Sequence, residues 1–87
     1  MDILYFEKPW NWGAVYKMLT AKGKQHGVSI TGDERSGNAA HQKVRGKFAV
    51  IGSQIKVTVL QKPWYWPISE VESRVKDYIR KIEREAA

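Results

Sequence analysis

The sequence predicts an α+β sandwich in the order β-α-β-β-β-α: a mostly antiparallel four-stranded sheet with two helices packed on one face. Three observations carry that expectation. Ile68, Val71, Val75, Ile79 and Ile82 stand at helical spacing beside a charged face. Ile55, Val57 and Val59 alternate with Lys56 and Thr58, the period of a half-buried strand, just after a Gly52-Ser53 turn. The string Lys-Pro-Trp-Xaa-Trp occurs at Lys8–Trp12 and again at Lys62–Trp66, each time after an apolar run and before a helical pattern. All four tryptophans belong to it. Two matching strand-to-helix junctions predict both tryptophan pairs at one end of the sheet.

The elements follow in chain order. Ile3 to Glu7 is a short strand, closed by Lys8-Pro9 because proline cannot donate to a ladder. Asn11 is placed to cap a helix through Ala14, Val15, Met18, Leu19 and Ala21, which Gly23 or Gly27 ends. Val28 and Ile30 alternate with Ser29 and Thr31, a strand signal. Gly32 to Asn38 is polar and glycine-rich, the composition of a turn or loop. From Ala39 to Ile51 the chain reads as extended. One parity of that stretch holds Ala40, Gln42, Val44, Gly46, Phe48 and Val50; the other holds His41, Lys43, Arg45 and Lys47. Ile55 to Leu60 returns as the last strand. In the closing helix, Ser69-Glu70-Val71-Glu72 fits a capping box. Glu70–Arg74, Glu72–Lys76 and Asp77–Lys81 follow as acid-first pairs one turn apart.

Composition limits what this scaffold can do. With 87 residues the chain forms a single domain over 1–87, and a domain of that size buries only roughly 60–65% of its unfolded surface. Cysteine is absent, which excludes disulfides and thiolate metal sites. His26 and His41 are the only histidines, and nothing brings them together. No metal or cofactor is expected. Asp2 stands where a secretory signal would carry basic residues, and no run approaches the ~20 apolar residues of a membrane span. A soluble, cytoplasmic protein is expected. Fifteen Lys+Arg against nine Asp+Glu give a net charge of +6, which favours polyanionic partners.

Catalytic motifs are missing from the sequence. Gly32 to Asn38 has the glycine spacing of a phosphate loop, but Asn38-Ala39 occupies the Lys-Ser/Thr positions and the next element is a strand. No Gly-Xaa-Ser-Xaa-Gly elbow exists, and Asp33-Glu34 reads as a solvated turn. A non-enzymatic protein is expected.

Parity supplies a binding hypothesis instead. If the helices cover the apolar side of the sheet, His41, Lys43, Arg45, Lys47 and Lys56 form a cationic platform on the other side. Lys8, Trp12, Lys62 and Trp66 join it at the rim, the second indole of each pair being the one expected to be exposed. Lysine and arginine can follow phosphates while bases stack on the rings. The plainer alternatives are also physical. An exposed antiparallel face is polar in any protein, tryptophan is highly buried on average, and a lysine stem packs readily on a neighbouring indole.

The run Gly46-Lys47-Phe48-Ala49-Val50, the Gly52-Ser53-Gln54 turn, Ile55-Lys56-Val57-Thr58-Val59, the aromatic-proline junction and Glu72 in the closing helix resemble the small proteins of the polyhydroxyalkanoic acid system family. The resemblance spans most of the chain. It implies a compact α+β accessory protein without catalytic activity, with polyester granules as its place of association. The doubled Lys-Pro-Trp-Xaa-Trp and the Gly32–Asn38 segment depart from the family pattern. Three functions follow from the sequence. The leading one is a binding module for a polyanion, single-stranded nucleic acid first. The others are an accessory protein on a polyester granule or another amphipathic surface, and a small adaptor or inhibitor docking on an acidic protein. An unpaired edge strand leaves the oligomeric state open.

Overall fold

A computed structural model of the chain describes residues 2–41 and 43–86, and of His26 the backbone alone. The chain folds as β1 (Asp2–Glu7), α1 (Trp12–Gly23), a 3-10 turn (Lys24–His26), β2 (Val28–Gly32), β3 (Ser36–His41), β4 (Val44–Ile51), β5 (Gln54–Gln61) and α2 (Ile68–Ala86). The strands form one antiparallel sheet in the order β1-β5-β4-β3-β2, with both helices on the same side. The α+β class and helix placement match the expectation; the sheet has five strands rather than four.

The extra strand comes from the stretch read as continuous between Ala39 and Ile51. It is two antiparallel strands, β3 ending at His41 and β4 starting at Val44, with His41 opposite Val44 and Ala40 opposite Arg45. Neither Gln42 nor Lys43 is a residue that favours a turn, so the sequence carries no signal there. Gln42, expected on the apolar parity, lies outside the described residues. The polar loop is also shorter than expected, because Ser36, Gly37 and Asn38 belong to β3. The Asp33 carboxylate tightens what remains by accepting the backbone N–H groups of Arg35 (2.8 Å) and Ser36 (3.1 Å). Those two bonds hold the Asp33 carboxyl below its ordinary pKa, since they favour the charged form. Gly37 is required in β3: a Cβ there would strike the Thr31 carbonyl and crowd the Phe48 ring at 3.1 Å. Gly52 supplies the left-handed residue (φ 60°) of the β4–β5 turn.

The core is Leu4 and Phe6 of β1, Ile55 and Val59 of β5, Trp12, Val15 and Leu19 of α1, and Val71 and Ile82 of α2. It lies beneath the helices at the β1–β5 side of the sheet. Toward β2–β4 the same face is only half-buried, at Val28, Ile30, Val44, Phe48, Val50 and Val57. Lys22 of α1 bonds Glu85 of α2 at 2.8 Å, tying the helices together.

Local details differ from the sequence reading. Asn11 precedes α1, yet its side chain makes no capping bond, and its buried Oδ1 has no hydrogen-bond partner among the described residues. Ser69 is already inside α2, which starts at Ile68 after Pro67, so the capping box does not form the helix start. Ala14 and Ala21 face solvent. Of the acid-first pairs, Glu70–Arg74 closes at 2.9 Å. Among the described residues, no helix is long and apolar enough to cross a membrane.

Candidate nucleic-acid interface

Two helices cannot cover both sides of a five-stranded sheet, so one face stays open. Cross-strand partners point to the same side of a sheet, and the register therefore fixes what that face displays. One row crosses every strand: Ile3, Thr58, Lys47, Asn38 and Thr31. The next row is Tyr5, Lys56, Ala49 and Ser36. Arg45 stands two residues before Lys47, beside Ala40 and Gln61, where a bulge between Arg45 and Gly46 shifts the β4–β5 register.

Arg45 and Lys47 are therefore about 7 Å apart along one strand. Lys47 and Lys56 are diagonal neighbours at about 7–8 Å. Among the described residues none of these cations forms an ion pair with a carboxylate. Glu7, at the far end of β1, is the one acid that the register places on this face among the described residues. Tyr5 lies directly opposite Lys56 and is 55% exposed.

The structure keeps Arg45, Lys47 and Lys56 of the predicted platform and moves the others. His41 and Val44 are cross-strand partners and so share a side. His41 thus belongs to the helix side, away from the cationic face. Lys43 is in the turn itself. Its ammonium donates to the Tyr65 hydroxyl at 3.0 Å and lies 5.7 Å from that ring's centre.

The tryptophan junctions also differ from expectation. β1 and β5 are antiparallel, with Glu7 opposite Gln54, so the strands finish at opposite ends of the sheet. Lys8 stands beside the β4–β5 turn, its backbone N–H bonded to the Ser53 carbonyl at 2.9 Å. Lys62 follows Gln61 at the other end, beside Arg45. Its ammonium donates to the Trp66 carbonyl at 2.6 Å and closes that turn.

Exposure within each pair is the reverse of the sequence reading. Trp10 and Trp64 are 88% and 89% exposed, while Trp12 is buried and Trp66 half-buried. The first indole of each pair falls in the turn, where no neighbouring element can cover it. The second reaches the helix layer. Trp12 opens α1 and donates its indole N–H to the Glu34 carbonyl at 2.8 Å, tying α1 to the β2–β3 hairpin. Trp66 lies under the Arg74 guanidinium, 4.5 Å from its ring centre.

Three aromatic positions escaped the sequence reading. Tyr5 was legible from parity: Leu4 and Phe6 go to the core, so Ile3, Tyr5 and Glu7 must go outward. Trp64 and Tyr65 form an edge-to-face pair at 5.6 Å, and Tyr65 meets Trp66 in the same geometry at 6.4 Å. Through Lys43 this cluster adjoins the Arg45 end of the cationic face. No protein-family model, curated protein or solved structure matches this chain.

Proposed function

We propose that this protein is a non-enzymatic module that binds single-stranded nucleic acid on the open face of its sheet. The phosphates follow Arg45, Lys47 and Lys56, one base stacks on Tyr5, and the strand leaves past Lys43, Tyr65 and Trp64. One observation carries the reading: cations without carboxylate partners share an uncovered face with an exposed tyrosine in register beside one of them. Lysine and arginine alone suit any polyanion. An aromatic ring among them favours a ligand with flat rings of its own, and only an unpaired strand can splay its bases onto a side chain. Among the described residues, the register places no histidine on this face and Glu7 as its one carboxylate.

Anisotropy of a dye-labelled oligothymidylate tests this, with a duplex, polyglutamate and anionic vesicles as competitors. The single strand should bind, and the duplex and polyglutamate should compete poorly. Reversing charge at all three positions (Arg45→Glu, Lys47→Glu, Lys56→Glu) should remove binding while circular dichroism stays unchanged. Equal competition by polyglutamate, or full binding by the folded triple variant, overturns the proposal.

A further inference from the structure

The helix side of the sheet holds a second recess, which Arg45 and Lys47 of β4 also border. Between α2 and the sheet lies a cavity of about 580 Å³ whose walls include Trp12, Tyr16, Phe48, Val57, Trp66 and Tyr78. That volume lies in the range of small-molecule sites. Its floor is low for a definite reason. Ala39 and Gly46 are cross-strand partners beneath it and contribute almost no side chain. Its roof is high because α2 packs toward α1 and β1. Among the described residues no Cα of α2 comes within 8 Å of one in β2, β3, β4 or β5. Tyr16 braces the wall, tilted against both Trp12 (6.0 Å) and Phe48 (6.1 Å), with its hydroxyl donating to the Gly32 carbonyl at 3.3 Å. Water in such a place finds few polar partners, whereas apolar molecules occupy recesses of this kind readily.

The chemistry of the mouth narrows the ligand. Arg74, Tyr78 and Lys81 recur at helical spacing along the face of α2 that borders the recess. Asp77 is the acid among the α2 residues that line it. We infer that the recess binds an aliphatic carboxylate, its chain lying along Phe48, Val57 and Trp66 and its head group at Arg74 and Lys81. Arg74 is already oriented for this by Glu70 (2.9 Å) and by the Trp66 ring (4.5 Å). The inference does not rest on nucleic-acid binding: the apolar chain is placed on Phe48, Val57 and Trp66 and the head group on α2, although Arg45 and Lys47 of β4 also border the recess.

Calorimetric titration with octanoate, decanoate and dodecanoate below their micellar concentrations tests it. Each buried methylene should tighten binding about fourfold, so dodecanoate should exceed octanoate by roughly 200-fold. Dodecanol, lacking the charge, should bind at least several-fold more weakly. Ala39→Phe fills the floor and should abolish dodecanoate binding while leaving oligonucleotide binding intact. On the unmodified protein, dodecanoate should shift the methyl resonances of Val57, Val75 and Ile30, which decides the matter even if the variant does not fold. Affinity independent of chain length, dodecanol binding as tightly as dodecanoate, or methyl shifts confined to Ile3 and Ile51 on the open face would each overturn it.

Discussion

If the proposed function holds, neutralising Arg45, Lys47 and Lys56 one at a time and then together counts the phosphates bound on the open face. Along β4 and across to β5 each of these cations is within about 8 Å of the next, so neighbouring phosphates of one strand can engage all of them. Each phosphate neutralised on a single strand adds about 0.7 to the slope of log K against log salt, giving about −2 for the three contacts. Affinity should then fall roughly 20-fold between about 50 and 200 mM salt. Each single Gln variant should flatten the slope by about 0.7, and the triple variant should leave almost none. Anisotropy of a labelled oligothymidylate over that salt range reads the slope directly. Lys17→Gln, on the exposed side of α1, serves as the control and should leave it unchanged. A slope that survives in the triple variant, or drops equally with Lys17→Gln, places the phosphates elsewhere and refutes the reasoning.

Tyr5→Ala should cost about 1–3 kcal/mol of oligonucleotide binding, the range of base–aromatic stacking, with the salt slope untouched; a variant that changed only the slope would mean that Tyr5 positions Lys56 and stacks nothing. Trp12→Ala removes a buried indole and its bond to the Glu34 carbonyl, and urea unfolding should register a loss of about 3–5 kcal/mol. Burial, with the Glu85 charge second, pushes the Tyr78 phenol above its ordinary pKa. The unfolded chain therefore ionises first, from about pH 10, so stability is full below that pH and declines as pH rises toward and through the folded value. Tyr78→Phe should remove that alkaline decline in a series of melting temperatures.

The parts of this fold that the sequence disclosed are those where alternation runs uninterrupted. Ile55, Val57 and Val59 sort against Lys56 and Thr58 as read, and Gly52 marks its turn through its backbone requirement. The misreadings trace to two physical causes. The break between β3 and β4 carries no local signature in the sequence, and parity shifts by one position across it. His41 changes face as a result, while Arg45 and Lys47, safely inside β4, keep theirs. The repeated pentapeptide misled for a different reason. Equal strings impose equal local structure, a turn and then a helix, but the direction of the preceding strand decides where that structure sits. Antiparallel β1 and β5 send the two copies to opposite ends of the sheet. The recess under α2 left no sequence signal at all, since it depends on how far a helix stands from Ala39 and Gly46.

A chain of this length can cover one face of its sheet and must leave the other to water, so lysine and arginine there explain little by themselves. Solubility asks only for polar residues, and the β2–β3 half of the open face meets that demand with Ser29, Thr31, Ser36 and Asn38. The β1–β5 half does not. It exposes Ile3 and Tyr5 beside Thr58 and Lys56, and Ile51 of neighbouring β4, opposite Gln54, is exposed as well. Solubility alone would replace these apolar side chains, because each keeps carbon in contact with water and together they invite association. The proposed ligand, charged along one edge and flat and apolar along the other as an unpaired nucleic-acid strand is, would account for their retention beside Arg45, Lys47 and Lys56.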